Sequence, residues 1–557
     1  MKTRTLLYAI LAAAFTARLI GINFGLPGLF HQDEPIVVNH ALAYASGDLN
    51  PHFFKIPPLA SYLIFAAYGI YYAALALFQG VSREAFALSF FADPTPFYLI
   101  GRVLLGAVLG TASVWALYKI AERAVGQPVA LGAAGLFAFS FMHVRDSHYI
   151  YADIPMIFCM LMTVLDLSVF SDGGSEKRLW RAAAWGGAAV AFKYIAAPIA
   201  LPVALAIFMR PGGEWKQKTA LVFQAALVMI GFYAVLNPFS LIDSRFFITE
   251  LLTQAKAEGS TLFFHHIQYS LYEGHGEVAT IFGVAGLVTL WIKRPNLRWL
   301  AVFPVVYYIM IARFSQPYER YALPIVPFLC LSGAFLIAEC LRMYRYKGVR
   351  VVIGAVLAAT AVAPSLLKVV HLDHLLLRQD TRTLAARWIE DNLPEGSGIT
   401  LDHPFFSPRL RQTLDQVSGK AGSIAAADPH ALLKNEKIKL ILEAQKGKKT
   451  YRVYYLKQAG QERAPFLLAS PVVDRDPAAL LAAGAAYFVR YRYPGEDGFF
   501  MKELRSQAEL VASFSPYSET SRTYTADEWA NVALPFRSKE LFSRRRTGPY
   551  LEIYRLT

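Results

Sequence analysis

Two adjacent carboxylates, Asp33 and Glu34, follow the first apolar segment of the chain by about ten residues, where the chain should just have left a membrane. Acid pairs are costly in or near the hydrocarbon core, and a membrane helix does not need one. A carboxylate at the membrane surface could act as a general base between a lipid-borne and a water-borne substrate. An ordinary pair of loop acids is the structural alternative.

Further charged and aromatic residues lie beside later apolar segments. They are Lys55 before a double proline, Arg145, Asp146, His148 and Asp153 in one stretch, Lys193 with Tyr194, and Arg320 with Tyr321. Transfer of a sugar from a lipid phosphate needs a base to take the acceptor proton and cations to hold the departing phosphate. Asp33 is therefore the predicted base, and Asp153 could orient a sugar hydroxyl or steady the acid pair.

The predicted phosphate ligands are Lys193, Arg320 and Lys55. Each charged group also has a structural interpretation. Arg145 and Asp146 could form a surface pair of little energetic value. Lys193 could extend from a helix end to the membrane interface, and Arg320 could stack between tyrosines. The 12 histidines show no spacing diagnostic of a metal site, so we predict no definite cofactor and leave a divalent metal open.

The composition indicates a polytopic membrane protein with room for a soluble domain. Of 557 residues, 55% are hydrophobic and 14% aromatic. The net charge of +14 does not indicate nucleic-acid binding, because the basic residues fall largely in short loops between apolar spans, as the positive-inside rule describes. The three cysteines predict neither a disulfide nor a metal site.

Apolar segments and basic loops together predict 11 spans with a cytoplasmic N-terminus. The predicted spans lie near 5–22, 99–119, 128–147, 152–169, 219–236, 277–293, 298–312, 321–341 and 349–370, with two short helices in 180–209 that turn at Lys193. All the basic loops become cytoplasmic if residues 56–79 lie at, or re-enter, the outer surface. Pro57, Pro58 and several tyrosines fit such an interfacial element.

The apolar segments stop near residue 372. A helix is predicted from Asp380 to Asn392, and strands at 399–401, 451–456, 486–489 and 550–554. We therefore predict a transmembrane domain over residues 1–371 and an extracytoplasmic α/β domain over residues 372–557.

The order of these residues along the chain, and their shared location at the predicted outer face of the membrane, resemble the C-type (GT-C) glycosyltransferases, specifically the protein O-mannosyltransferase and aminoarabinose transferase group. The resemblance rests on the Asp-Glu pair, the later Asp153, the Lys-Tyr break and the Arg-Tyr-x-Leu-Pro motif at 320–324. It implies Asp33 as the base with Glu34 as its neighbour, and Asp153 as the second acid, with Asp146 as the alternative.

The resemblance also implies that Arg320 and Lys193 lie near the donor phosphate. Relatives often carry His or Lys directly before the double proline, whereas this chain has Ile56, with Lys55 one residue earlier.

The predicted function is inverting transfer of a sugar from a polyprenyl-phosphate donor to an acceptor hydroxyl or phosphate at the outer face of the plasma membrane. The partners implied are that donor, an acceptor protein, lipid or glycan, and membrane lipids. Two alternatives stay open: a transporter or flippase of a lipid-linked or anionic solute, and a membrane-anchored binding protein. Asp166 is the one acid well within a predicted span, and internal repeats are not evident.

Overall fold

The computed structural model describes residues 2–255, 263–314, 317–422, 431–457, 471–492, 499–518 and 534–556. The first two thirds of the chain are helical. The helices are Lys2–Leu19, Glu34–Ala43, Leu59–Gln79, Arg83–Ala92, Thr95–Gly101 continuing through Arg102–Val108 into Leu109–Val125, Gln127–Ala138, Phe141–Asp146, Asp153–Ser171, Glu176–Phe192, Tyr194–Ile199, Ala200–Met209, Trp215–Leu236, Phe239–Ile242, Ser244–Ala255, His266–Leu271, Tyr272–His275, Glu277–Lys293, Arg298–Ile311, Glu319–Ile325, Val326–Arg342 and Lys347–Leu376, with single turns at Tyr44–Ser46 and Pro295–Leu297.

Six helical segments within the described residues are long and apolar enough to cross a membrane, and the pair His266–His275 and Glu277–Lys293, bent by 112°, would be a seventh. The protein is therefore a multi-pass membrane protein. Some predicted spans are shorter than a membrane core: Gln127–Ala138, at 1.5 Å per residue, is only about 18 Å long. The predicted number of 11 spans stays a prediction.

Two predictions concern breaks in helices. The predicted turn at Lys193 is confirmed, because Glu176–Phe192 ends there and Lys193 is extended, with φ −159° and ψ 129°. Residues 59–79, in contrast, form one unbroken 21-residue helix that begins directly after Pro58. The helix lacks the internal break of a re-entrant segment and is among the six of spanning length. Its location at the outer surface stays a prediction.

The helical core is densest around two helices that carry predicted site residues at their N-terminal ends. The most apolar windows of Asp153–Ser171 and Glu319–Arg342 are 78% and 83% buried, against 11% for Trp215–Leu236. Small residues allow close contacts there. A Cβ at Gly286 would lie 2.0 Å from the carbonyl oxygen of Ser332 on the neighbouring helix.

The C-terminal part is α/β, as predicted. Its strands are β1 (Gly398–Leu401), β2 (Arg452–Leu456), β3 (Val472–Val473), β4 (Tyr487–Arg492), β5 (Ala508–Phe514) and β6 (Tyr550–Leu556), in the order β3-β2-β1-β4-β6-β5. Strands β3, β2, β1 and β4 pair in parallel, whereas β6 pairs antiparallel with β4 and β5. The helices are Thr381–Asn392, Leu414–Gly422, Ala431–Gln445, Pro477–Ala482, Phe499–Ser506 and Ser538–Ser543.

All four predicted strands are present, whereas β3 and β5 were not predicted. Both are edge strands, and β3 has only two residues. The predicted helix after Asp380 is also present, and the Asp380 carboxylate accepts the backbone N–H of Arg382 at 2.9 Å.

The two parts of the chain are in contact. The predicted boundary at 371/372 falls within the helix Lys347–Leu376. Residues 534–543, which we call the docking segment, return from the C-terminal part and pack against the helices. Leu534, Phe536 and Leu541 are buried in the same apolar cluster as the transmembrane helices. The division into two domains at residue 371 stays a prediction.

Candidate active site

Four charged side chains from distant parts of the sequence form a continuous chain, which we call the charge chain. Arg320 donates from Nη1 to Oδ2 of Asp33 at 2.7 Å, and its Nε lies 4.0 Å from Oδ2 of Asp153. Lys193 donates from Nζ to both carboxylate oxygens of Asp153, at 2.8 and 2.9 Å. Acids and cations alternate, so their formal charges cancel within the group.

Each member of the charge chain lies where a helix begins or ends. Asp33 directly precedes the helix Glu34–Ala43, and Asp153 is the first residue of its own helix, where the helix dipole favours a carboxylate. Lys193 occupies the extended break after Phe192. Arg320 lies in the 3₁₀ segment Glu319–Ile325. Charged side chains can therefore meet while the apolar helix interiors stay in the core.

Tyrosine rings surround the two cations. The Nζ of Lys193 lies 5.0 and 5.4 Å from the ring centroids of Tyr151 and Tyr321, and the Cζ of Arg320 lies 4.8 and 4.9 Å from those of Tyr151 and Tyr318. Such cation–π contacts hold cations at partly desolvated sites. The Arg320 and Asp33 side chains remain 19% and 15% exposed. An anionic ligand could therefore reach a cation that water does not fully screen.

Asp33 is held in its charged form. Burial by itself would raise the pKa of Asp33, but the ion pair with Arg320 outweighs burial and holds the pKa below its usual range. His31 stacks on Tyr149 with ring centroids 3.9 Å apart, and burial lowers the pKa of His31 to about 4. At neutral pH the pocket thus presents an Asp33 carboxylate beside a neutral imidazole.

Glu34 does not join the charge chain. Its carboxylate accepts two hydrogen bonds from Arg102, both 2.7 Å long, and a third from the backbone N–H of Ile150 at 3.0 Å. Arg102 also donates to the carbonyl oxygens of Ile22 and Phe24, and both charged side chains are fully buried. The predicted catalytic pair is thereby divided: Asp33 faces the charge chain and Glu34 joins helices.

A second group of charges lies beside the charge chain. Arg145 donates from Nη2 to Glu319 at 2.8 Å, and its Nη1 lies 3.6 Å from Oδ1 of Asp146. Both Asp146 oxygens are buried and have no hydrogen-bond partner among the described residues. Sequence reasoning did not select Glu319. Its position next to Arg320 in the chain, with the opposite charge, is the signal that could have identified it.

Two other predicted site residues, His148 and Tyr194, make contacts outside the charge chain. The imidazole of His148 is fully buried and bonds the carbonyl oxygens of Val144 and Ile20, at 2.9 and 3.1 Å. Tyr194 donates to the carbonyl oxygen of Phe54 at 2.9 Å. That contact anchors the loop in which the exposed Lys55 is the next residue. The buried His148 imidazole is therefore directed at backbone carbonyls and not at the charge chain.

Metal ligands are not grouped in this region. In the part of the chain that the structure describes, no group of three or more His, Cys, Asp or Glu side chains could hold a metal ion. The acids of the charge chain are bonded to cationic side chains instead. The charge chain itself offers a carboxylate for proton transfer and Arg and Lys side chains that can bind an anion.

A family comparison bears on this chemistry. Residues 85–237 match the family described as dolichyl-phosphate-mannose-protein mannosyltransferase. The predicted resemblance is confirmed. With it, the predicted enzyme class, a glycosyltransferase, is confirmed. The matched segment contains Arg145, Asp146, Asp153 and Lys193, whereas Asp33 lies outside it. A comparison with curated protein sequences found no match.

Comparison with solved structures found distant global likenesses. The archaeal oligosaccharyltransferase AglB from Archaeoglobus fulgidus, in complex with an inhibitory peptide and a dolichol-phosphate, is 13% identical over 100% of this chain and 88% of that chain, with a TM-score of 0.47. ArnT from Cupriavidus metallidurans, bound to undecaprenyl phosphate, is 15% identical over 91% and 95%, with a TM-score of 0.47. The Pmt1–Pmt2 complex of S. cerevisiae, bound to the sugar donor, is 22% identical over 47% and 36%, with a TM-score of 0.32.

Proposed function

We propose that this protein transfers a sugar, with inversion, from a polyprenyl-phosphate-linked donor to a hydroxyl or phosphate of an acceptor. The observation that carries the proposal is the charge chain, in which a carboxylate base directly contacts a cation suited to a phosphate. The reaction takes place at the outer face of the plasma membrane. The N-terminus is cytoplasmic and the C-terminal part extracytoplasmic.

The donor phosphate displaces Asp33 from Arg320. The donor phosphate is a diester with one negative charge; its two free oxygens can accept the planar N–H fork of arginine, and it gains a second negative charge as it leaves the sugar. Lys193, held by Asp153 beside Arg320, adds a second cation for the leaving group. When Arg320 turns to the phosphate, Asp33 loses the partner that depresses its pKa. It then becomes a stronger base in the complex than in the free enzyme.

The transfer is a single displacement. The carboxylate of Asp33 takes the proton of the acceptor O–H, while the acceptor oxygen forms a bond to the anomeric carbon of the sugar. The bond between that carbon and the phosphate oxygen breaks, and the phosphate leaves with the bonding electron pair. Arg320 and Lys193 stabilise the charge that develops on the leaving oxygen. General-base catalysis of this kind contributes about 10²–10⁴-fold to rates.

The other predicted residues take supporting roles in this proposal. Asp153 holds the two cations in place rather than binding the sugar directly, because Lys193 occupies both of its oxygens. Glu34 fixes the start of the helix that follows Asp33. The tyrosine Tyr321 shapes the pocket through its contact with Lys193, and Tyr194 holds the loop that precedes Lys55.

The test replaces Asp33 by Asn and measures sugar transfer from a polyprenyl-phosphate donor in membranes. We expect loss of transfer by about 10²-fold or more with retained donor binding, because the amide cannot take the proton. The matched control is Asp48→Asn. Asp48 pairs with His52 at 2.9 Å in the same part of the chain but is about half exposed, so that variant should transfer normally. Wild-type transfer by a folded Asp33→Asn variant would refute the proposal.

The transporter alternative predicts a different result. Asp166, the acid that favoured it, is bonded to Arg178 at 2.9 Å and lies 3.4 Å from Arg181, so that its charge is paired. Movement of a lipid-linked solute across vesicles by the wild-type protein, without any glycosidic product, would favour transport over transfer.

A further inference from the structure

Phe536 belongs to the docking segment but lies inside the membrane part, completely buried. Its ring centroid is 5.9 Å from that of Phe141 and 5.3 Å from that of Tyr269. A Cβ on Gly274 would lie 3.0 Å from the Phe536 Cζ, so the ring tip packs closely against that glycine. The C-terminal part thus inserts an aromatic side chain into the helical part.

Polar contacts hold the backbone on the far side of this ring. Ser538 donates from its backbone N–H and from Oγ to the same oxygen of Glu273, at 2.9 and 2.7 Å. Lys368 donates to that carboxylate at 2.8 Å and to the Glu273 carbonyl oxygen at 2.7 Å. Two residues after Phe536, the docking segment is therefore tied to two separate helices, which fixes the ring in position.

The fixed ring supports Arg145. The Cζ of Arg145 lies 4.8 Å from the Phe536 ring centroid, and the same guanidinium donates to Glu319. Glu319 is joined by a peptide bond to Arg320, the cation that holds Asp33. A short series of contacts therefore connects the docking segment to the proposed phosphate ligand.

We propose that Phe536 is a positioning residue for the donor-phosphate site, acting through Arg145 and Glu319 on Arg320. Without the ring, one wall beside Arg145 is lost, and its guanidinium gains rotational freedom and access to water. Glu319 then loses a fixed partner, and the short 3₁₀ segment that carries Arg320 loses a constraint. The C-terminal part would thereby contribute to donor binding without touching the donor.

The proposal rests on the proposed function, and its test uses binding so that the two can fail separately. The full-length protein in detergent is titrated with a polyprenyl phosphate and, in parallel, with the same polyprenol lacking the phosphate. We expect Phe536→Ala to weaken binding of the polyprenyl phosphate by about 10-fold, because a displaced Arg320 guanidinium makes a poorer charge-assisted hydrogen bond to the phosphate. Binding of the phosphate-free polyprenol should not change.

Two further variants separate positioning from folding. Phe536→Leu keeps an apolar wall of similar volume and should bind the polyprenyl phosphate within about 3-fold of wild type. Phe542→Ala is the matched control: Phe542 lies in the same docking segment, is half exposed and contacts His371 rather than Arg145, so it should bind normally.

Several results would overturn the inference. One is wild-type affinity of Phe536→Ala for the polyprenyl phosphate, and another is an equal weakening of that affinity by Phe542→Ala. A third is an equal loss of affinity for the polyprenyl phosphate and for the phosphate-free polyprenol in both Phe536→Ala and Phe536→Leu, which would indicate unfolding. A different result bears on the proposed function alone: unimpaired transfer by Asp33→Asn would refute that function whatever the polyprenyl-phosphate affinities are.

Discussion

Neutralising Asp33 and neutralising its neighbour Glu34 should affect different properties, sugar transfer in the first case and thermal stability in the second. Asp33→Asn should lose transfer and keep most of its melting temperature, because Arg320, the charge left behind, is 19% exposed and still lies 4.0 Å from Asp153. Glu34→Gln should lose melting temperature and keep its transfer rate per folded molecule. Glu34 contacts only structural partners, and an amide there would direct N–H donors at the donors of Arg102.

The contacts of Glu34 set the size of this effect. Its carboxylate accepts three hydrogen bonds of 2.7–3.0 Å, and neither Glu34 nor Arg102 is exposed. Removing one partner of a buried ion pair costs about 3–5 kcal/mol, because the other charge is left uncompensated. For a chain of 557 residues, an unfolding entropy of about 2.1 cal/mol/K per residue converts this cost into a fall in melting temperature of about 3–4 °C.

The assay is thermal unfolding of the purified protein in detergent, followed by sugar transfer normalised to folded protein. The double variant Glu34→Met with Arg102→Met provides the internal control. It removes both buried charges and should recover much of the lost stability. An unchanged melting temperature in Glu34→Gln, or a Glu34→Gln protein that is folded but inactive, would refute a purely structural role for Glu34.

Two further results should follow from the charge chain. Since Arg320 keeps the pKa of Asp33 below its usual range, kcat/KM of the wild type should stay constant down to acidic pH. Arg320→Gln should shift the acid limb of the kcat/KM profile to higher pH, because burial then raises the pKa of Asp33. Identical profiles of the two proteins between about pH 4 and 8 would contradict this prediction. Lys193→Met should raise the donor KM and destabilise the fold by about 3–5 kcal/mol, because the buried Asp153 then keeps, among the described residues, a single cation, Arg320, at 4.0 Å. An unchanged melting temperature would show that Asp153 does not depend on Lys193.

Local patterns predicted much of the fold. The strands at 399–401 and 550–554 and the helix after Asp380 are visible as short apolar runs and a capping residue, because hydrogen bonding and burial act over a few neighbouring residues there. The break at Lys193 was predicted because a 30-residue helix would exceed the membrane core. The edge strand β5 was not predicted, since only its pairing with β6 distinguishes it from a loop.

The candidate site was predictable in residue type but not in pairing. Asp33, Asp153, Lys193 and Arg320 were selected because charges beside apolar spans are costly and therefore informative. The sequence could not tell which acid meets which cation: Arg320 contacts Asp33 across 287 positions. Phe536 carried no signal at all, because a single phenylalanine in a C-terminal segment looks like any other apolar residue.

The amino-acid sequence by itself determined the membrane class, the α/β C-terminal part and the set of charged residues at span ends. Hydropathy, periodicity and charge are properties of short windows, and these features depend on nothing else. Only the tertiary structure decided that Asp33 faces Arg320 while Glu34, the next residue, is buried against Arg102. Successive residues at a helix start point in different directions, and what each one meets depends on helices that arrive from hundreds of residues away.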